Sequence, residues 1–151
     1  MKRSYLKKQS SSPVKKVKRE IQALLREIAG IRQGWICWVQ NYPKLMAYLG
    51  PHDMVFQYDH CNSRARNISY GDSRLGVGVC KRHHWFHDTT YDKKQKAEYD
   101  KYMRKFIGAK NRALLKRVEE DRGTHNFTLW EWEKVKIQLK KELEELQHGK
   151  N

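Results

Sequence analysis

Two short segments of the chain concentrate side chains that can bind a metal ion. The segment YDHCNSRARN, Tyr58 to Asn67, places an acid, an imidazole and a thiol next to one another, and VCKRHHWFHD, Val79 to Asp88, holds another thiol and three more imidazoles. Imidazole and carboxylate suit zinc, nickel or manganese and, with waters in the remaining positions, magnesium. If the two segments share an ion, the fold must bring them together, and this requirement limits the architectures that the chain can adopt.

Each of these segments contains or follows a pattern typical of a β-strand. MVFQYD, Met54 to Asp59, is rich in β-branched and aromatic residues, and RLGVGVC, Arg74 to Cys80, alternates valine with glycine, which lets another group approach the backbone closely. The polar linker between them favours turns. His83 and His84 then open a helix, so the sequence predicts a strand–strand–helix unit in which two strand ends and a helix start converge.

The surplus of basic residues points to a polyanionic partner. The chain has 32 Lys and Arg against 17 Asp and Glu, a formal charge of +15, and this charge opposes folding through self-repulsion. Hydrophobic residues make up only 38%, so we expect a thin core, extended helices with solvated faces and a benefit from a bound metal. DNA is the partner we expect.

Membrane and secretory classes are not expected. No apolar run approaches the roughly 18 residues of a spanning helix, and the basic N-terminus lacks the apolar region of a signal peptide. An intracellular protein is therefore predicted, where disulfides are disfavoured. The three cysteines, an odd number, are then interpreted as free, buried or metal-bound.

The sequence predicts four regions along the chain. Residues 1–12 form a basic disordered arm, 13–34 a basic amphipathic helix, 35–108 the core unit and 109–151 a helical extension. The first helix begins at Ser12-Pro13 and is expected to end at Gly30. Its polar face is either simply solvated or a surface for nucleic-acid phosphates, and it carries Lys15, Lys16, Lys18, Arg19 and Arg26.

The C-terminal part is predicted to be helical. Thr128 and Glu131 form a capping box, and an apolar stripe follows that suits a core or a partner helix, which allows a homodimer: Trp132, Val135, Leu139, Leu143 and Leu146. A further amphipathic helix is expected over residues 91–106. All five tryptophans are expected in the core.

The residue chemistry of the two clusters suits phosphodiester hydrolysis. A cation held by Asp59 would neutralise charge on the phosphate and stabilise the departing 3′ oxygen. His60, on the opposite face of the strand end, would activate water. Arg64 and Arg66 on the following loop would clamp the phosphate.

The motifs YDHCNSRA and VGVCKRHHWFH resemble those of the HNH, or His-Me finger, endonucleases, and among them small phage-borne members such as the RecA-dependent nuclease group. Over residues 35–108 the resemblance implies a mostly helical α+β fold with a ββα-metal hairpin flanked by N- and C-terminal helices. It implies that Asp59 and His84 bind the metal and that His60 is the general base. His87 is taken as third ligand, with Asp88 as the alternative. A phage-encoded protein acting in a bacterial cytoplasm is implied as well.

The chain departs from this family pattern in two places. The paired cysteines that help to hold a structural zinc are reduced to Cys37 upstream, so a zinc on Cys37, Cys80 and His83 needs a fourth ligand, either His52 or Asp53. The family's middle asparagine is replaced, leaving Asn62 or Asn67 to substitute. The predicted function is a metal-dependent DNA endonuclease using Mg²⁺, Mn²⁺, Ni²⁺ or Zn²⁺, and the alternative is a non-catalytic zinc-stabilised nucleic-acid-binding protein.

Overall fold

The computed structural model describes residues 12–61, 67–121, 123 and 125–149. Within these ranges the protein is mostly helical with a two-stranded antiparallel sheet, in agreement with the α+β class. The elements follow in the order α1 (Pro13–Gln33), a 3-10 helix (Trp38–Asn41), α2 (Pro43–Leu49), β1 (Phe56–His60), α3 (Asn67–Tyr70), β2 (Gly76–Cys80), α4 (Lys81–Thr89), α5 (Lys93–Phe106), α6 (Gly108–Glu120) and α7 (Leu129–His148).

Helix α1 is longer than predicted. The Ser12 hydroxyl accepts a hydrogen bond from the Lys15 amide, which confirms the start, but the helix continues through Gly30 and ends at Gly34, where φ is 64°. The prediction that Gly30 terminates the helix is wrong. A Cβ at Gly30 would lie 2.6 Å from the Trp35 ring, so the glycine there permits close packing of the indole instead.

Helix α7 packs along α1. Its capping box is present, with the Glu131 amide donating to the Thr128 hydroxyl and the Thr128 amide to the Glu131 carboxylate. The predicted apolar stripe of α7 lies in one cluster with the buried face of α1, which contains Ile21 and Leu25. The stripe is thus covered within the chain, and a homodimer through this helix stays a prediction.

The two strands form the predicted hairpin with slightly shifted ends. Phe56 lies opposite Cys80 and His60 opposite Gly76. The close approach expected at the glycines is confirmed. A Cβ at Gly76 would lie 2.2 Å from the Tyr58 ring, and one at Gly78 would lie 2.0 Å from the Phe56 ring.

The sheet lies between two apolar clusters. Tyr58 packs in the cluster of α1 and α7, whereas Val77 and Val79 belong to a second cluster that includes Trp38 and Tyr99. Asp59 is paired with Val77 in the register, so its side chain faces the second cluster, towards α4 and α5. The structure thereby separates the faces of Asp59 and His60 as the strand period requires.

The expectation that all five tryptophans are buried is wrong for three of them. Trp38 and Trp132 are buried, but Trp35, Trp85 and Trp130 are 53%, 67% and 65% exposed. Trp85 lies on α4 between histidines that turn inward, so its ring faces solvent. Tryptophan content by itself does not report which helix face is buried.

Candidate metal centres and a basic cleft

Two cysteines and two histidines come together in a compact group. One ligand atom from each residue lies within 4.8 Å of the others, and the group consists of Cys37, His52, Cys80 and His83. The side chains come from the residue before the 3-10 helix, the loop after α2, the end of β2 and the first turn of α4. Four separate segments are thus joined at one point.

Hydrogen bonding fixes the orientation of His83. Its Nε2 lies 3.1 Å from the Gly50 carbonyl oxygen, and because a carbonyl can only accept, Nε2 carries the proton. Nδ1 is then the basic nitrogen, and it lies 3.5 Å from Cys37 Sγ inside the group. Metal-binding histidines are commonly oriented in this way by a carbonyl on the other ring nitrogen.

The two thiols of the group have pKa values that shift in opposite directions. The hydrogen bond with Cys37 lowers the pKa of Cys80, and hydrogen bonds from the backbone amides of Asp53 and His83 lower it further. The same contact, with burial, raises the pKa of Cys37. The site therefore stabilises a thiolate at Cys80, the form in which cysteine binds metal.

This group could bind a metal ion such as zinc. Two sulfur and two imidazole donors form a common tetrahedral zinc set. The predicted trio of Cys37, Cys80 and His83 comes together, and the structure selects His52 as fourth member. The Asp53 carboxylate instead accepts from the Val55 amide at 3.1 Å.

A second cluster surrounds Asp59, which is only 3% exposed. Its Oδ2 lies 2.7 Å from His87 Nδ1 and accepts from the Tyr99 hydroxyl at 3.2 Å, while Oδ1 lies 3.7 Å from His84 Nε2. A buried carboxylate is costly unless it is paired. These distances show that Asp59, His84 and His87, the three residues predicted to share an ion, lie together.

His87 is held between two carboxylates. Its Nε2 lies 2.8 Å from Asp100 Oδ1, and its ring stacks on Tyr99. Burial alone would lower the pKa of His87, but the hydrogen bonds to Asp100 and Asp59, with their charges, outweigh it and raise the pKa to about 9. In this arrangement both nitrogens of His87 donate.

His84 presents one nitrogen to the carboxylates of the second cluster. Its Nδ1 lies 2.6 Å from the Gln57 amide oxygen, which can only accept, so Nδ1 carries the proton. Nε2 is then the basic nitrogen and lies 3.7 Å from Asp59 and 3.6 Å from Asp88. Asp59 and Asp88 thus approach His84 at the atom that would bind a cation.

His60 lies across the strand from Asp59. It is 6% exposed, and its ring stacks on Tyr70. The Gln22 amide nitrogen of α1 lies 2.6 Å from His60 Nε2. Because an amide nitrogen can only donate, Nε2 is unprotonated and its lone pair accepts from Gln22.

The remaining predicted site residues fall into three groups. Lys15, Lys16 and Arg19 are exposed on α1. The Lys18 ammonium lies over the rings of Tyr70 and Trp132, at 5.0 and 4.4 Å. Asn62, Arg64 and Arg66 lie outside the residues that the structure describes, and so does the side chain of Asn67.

Several residues of the second cluster were not singled out from the sequence. Gln57 could have been found, because it lies two positions before Asp59 and a strand directs both to one face. Tyr99 and Asp100 come from α5, and Gln22 from α1. No local sequence pattern predicts that α1 and α5 pack against the two-stranded hairpin.

Comparisons with protein-family models, curated proteins and solved structures find no match. The relation to HNH endonucleases therefore stays a prediction from the motif residues. Among the described helices, none is both long and apolar enough to cross a membrane.

Proposed function

We propose that this protein is a metal-dependent endonuclease that hydrolyses phosphodiester bonds of DNA. The observation that carries the proposal is the approach of Asp59 and His84 at 3.7 Å, at the end of a strand whose next residue is His60. The imidazole thus follows the proposed cation ligand directly in sequence and lies on the other face of the strand. The order of β1, β2 and α4 supports the proposal, because the HNH resemblance implies two strands followed by a helix.

Asp59 and His84 would hold the catalytic cation. When bound, this cation would offset charge on the phosphate and stabilise the departing 3′ oxygen. For the third ligand the geometry favours Asp88, because its carboxylate lies 3.6 Å from His84 Nε2. His87 already donates to Asp59 and Asp100, and we assign it the positioning of Asp59.

His60 would accept the proton of the attacking water. The Gln22 contact keeps Nε2 unprotonated, and the attacking water would take the place of the Gln22 amide at this nitrogen. Stacking on Tyr70 fixes the plane of the ring. A positioned general base contributes about 10²–10⁴-fold to a rate. Removal of this imidazole should therefore affect turnover far more than binding.

The Cys/His group would hold a structural zinc. Cys80 and His83 flank the junction of β2 and α4, and His84 follows His83 directly. An ion there would fix the start of α4 against the loop after α2. The direction of His84 towards Asp59 would then depend on the zinc through the rigid first turn of α4.

Nicking of supercoiled plasmid tests this function. Purified protein is incubated with Mg²⁺, Mn²⁺ or Ni²⁺ and compared with His60→Ala and, as a matched histidine control outside both clusters, His125→Ala. We expect nicking by the wild type and by His125→Ala, and a loss of about 10²–10⁴-fold in His60→Ala with unchanged DNA affinity. Equal nicking by His60→Ala would overturn the assignment.

A second candidate is a zinc-stabilised DNA-binding protein without catalysis. It is favoured by the compactness of the Cys/His group and by the ion pair that His87 forms with Asp59. Under this function no metal supports nicking by the wild type, while a chelator unfolds the protein and releases the DNA.

A further inference from the structure

A cleft runs between α1 and the hairpin beside His84. Its volume is about 390 Å³. The cleft is lined by Arg19, Gln22, Ala23, Arg26, Gln57, Tyr58 and His84. It therefore combines the exposed side of α1 with one histidine of the proposed cation site.

The two arginines of the cleft lie on the same side of α1. They are seven residues apart, which is nearly two turns and about 10 Å along the axis. This distance exceeds the rise of about 3.4 Å per nucleotide along a duplex, so the two guanidinium groups would contact different phosphates of a strand. An open cleft of this length suits a strand backbone better than a single small anion.

Both arginines are available for a ligand. Arg19 and Arg26 are exposed, and neither has an ion-pair partner in the described ranges. Other arginines are engaged in the fold, since Arg32 pairs with Glu142 and Arg104 with Glu119. Unpaired guanidinium groups in a concave surface suit phosphate oxygens, which they can contact in a bidentate manner.

Gln22 connects the cleft to the proposed base. It lies between Arg19 and Arg26 on the lining, and its amide donates to His60. A strand in the cleft would thus pass close to both His84 and the residue that holds His60. The cleft thus borders His84 directly and is linked to His60 through Gln22.

We propose that this cleft binds the sugar-phosphate backbone of duplex DNA, with Arg19 and Arg26 contacting phosphates on either side of the one that is cut. The inference rests on the proposed function and adds the track by which the substrate reaches it. Because the contacts are to phosphates, the cleft contributes affinity without reading base sequence.

The test measures the salt dependence of DNA binding. In the full-length His60→Ala background, which prevents cleavage, affinity for a fluorescent duplex is titrated at several salt concentrations for Arg19→Gln, Arg26→Gln and the double variant. Arg112→Gln is the matched control, since Arg112 is exposed on α6 outside the cleft. Circular dichroism confirms that helix content is unchanged.

We expect the slope of log K against log salt to fall by about 0.9 for each cleft arginine removed. The Arg112→Gln slope should equal that of the background. Unchanged slopes for the cleft variants, or an equal loss with Arg112→Gln, would overturn the inference even if the wild-type chain nicks plasmid. Reduced slopes specific to the cleft, with no nicking by the wild type under any metal, would support the DNA track while overturning the hydrolytic function. Absence of DNA binding would overturn both.

Discussion

Two neighbouring histidines on α4 belong to two different clusters, and these clusters differ in the side chains that surround each histidine. His83 is fully buried and joins two thiols and a second imidazole. His84 faces Asp59 and Asp88, and the Asp88 side chain is 57% exposed. The first site has two thiols and two imidazoles, of which only His52 is exposed, whereas the second combines imidazole with carboxylates.

The two histidines are also oriented by different kinds of acceptor, a backbone carbonyl for one and a side-chain amide for the other. A backbone carbonyl, that of Gly50, accepts from His83, whereas the Gln57 side chain accepts from His84. Structural zinc sites are closed by four protein ligands, while catalytic sites keep a position open for water or substrate. The comparison supports our proposal that the Cys/His group stabilises the fold and that the Asp59 cluster performs the chemistry.

Cys80→Ser should give the largest effect. Structural zinc contributes about 10–16 kcal/mol of apparent binding free energy in small zinc domains, which is comparable to the whole stability of a domain, about 5–15 kcal/mol. We expect loss of zinc, measured by elemental mass spectrometry, and loss of the cooperative thermal transition. Cys61→Ser is the matched control, because Cys61 lies outside the Cys/His group beside Met103. Zinc retained at the wild-type level in Cys80→Ser would contradict the assignment.

Asp59→Asn should abolish nicking while leaving zinc in place. The amide cannot supply the anionic ligand, so we expect a loss of at least about 10³-fold, comparable to removal of a directly acting group. Asp100→Asn removes only the outer partner of His87, and its loss should stay within about 10- to 100-fold. If Asp59→Asn lost zinc as well, the two clusters would not be functionally separate.

Asp88→Asn should raise the Mn²⁺ concentration needed for half-maximal nicking. Loss of a direct ligand should cost more than the 10- to 100-fold that is typical of an outer partner. His87→Gln, which keeps a donor near Asp59, should shift the concentration less. The reverse order would identify His87 as the third ligand, as the sequence suggested.

Gln57→Ala should give the smallest effect. It removes the acceptor that orients His84, and we expect about a tenfold loss in nicking rate. Zinc content and the thermal midpoint should not change, since Gln57 touches His84 and not the Cys/His group. A change in zinc content would show that the adjacent histidines are coupled.

Local patterns predicted much of the fold. The Thr128 capping box and the strands predicted before Asp59 and Cys80 are present. Gly30 was misread because a helix-ending glycine and one that admits a ring have the same sequence signature. Only the packing of Trp35 distinguishes them.

The candidate sites were predictable where ligands follow strand or helix periods. Asp59, His84 and His87 lie together because a strand end and a helix start converge in the strand–strand–helix unit, and their role as metal ligands stays a prediction. The choice of His52 over Asp53 was left open, since both lie on the same loop and the Val55 amide that engages Asp53 is a detail of the turn. Arg26 was seen as part of a basic face, but not as part of a cleft.

The sequence by itself determined the donors, the helices, the hairpin and the excess positive charge, because these depend on residue type and on spacing of a few positions. The tertiary structure decided which histidine joins the thiols, which faces the carboxylates, and that α1 lies beside both His60 and His84. These outcomes depend on contacts between segments far apart in the chain, such as Gln22 with His60 and Gly50 with His83. Such contacts follow from packing of the whole core, which no local pattern encodes.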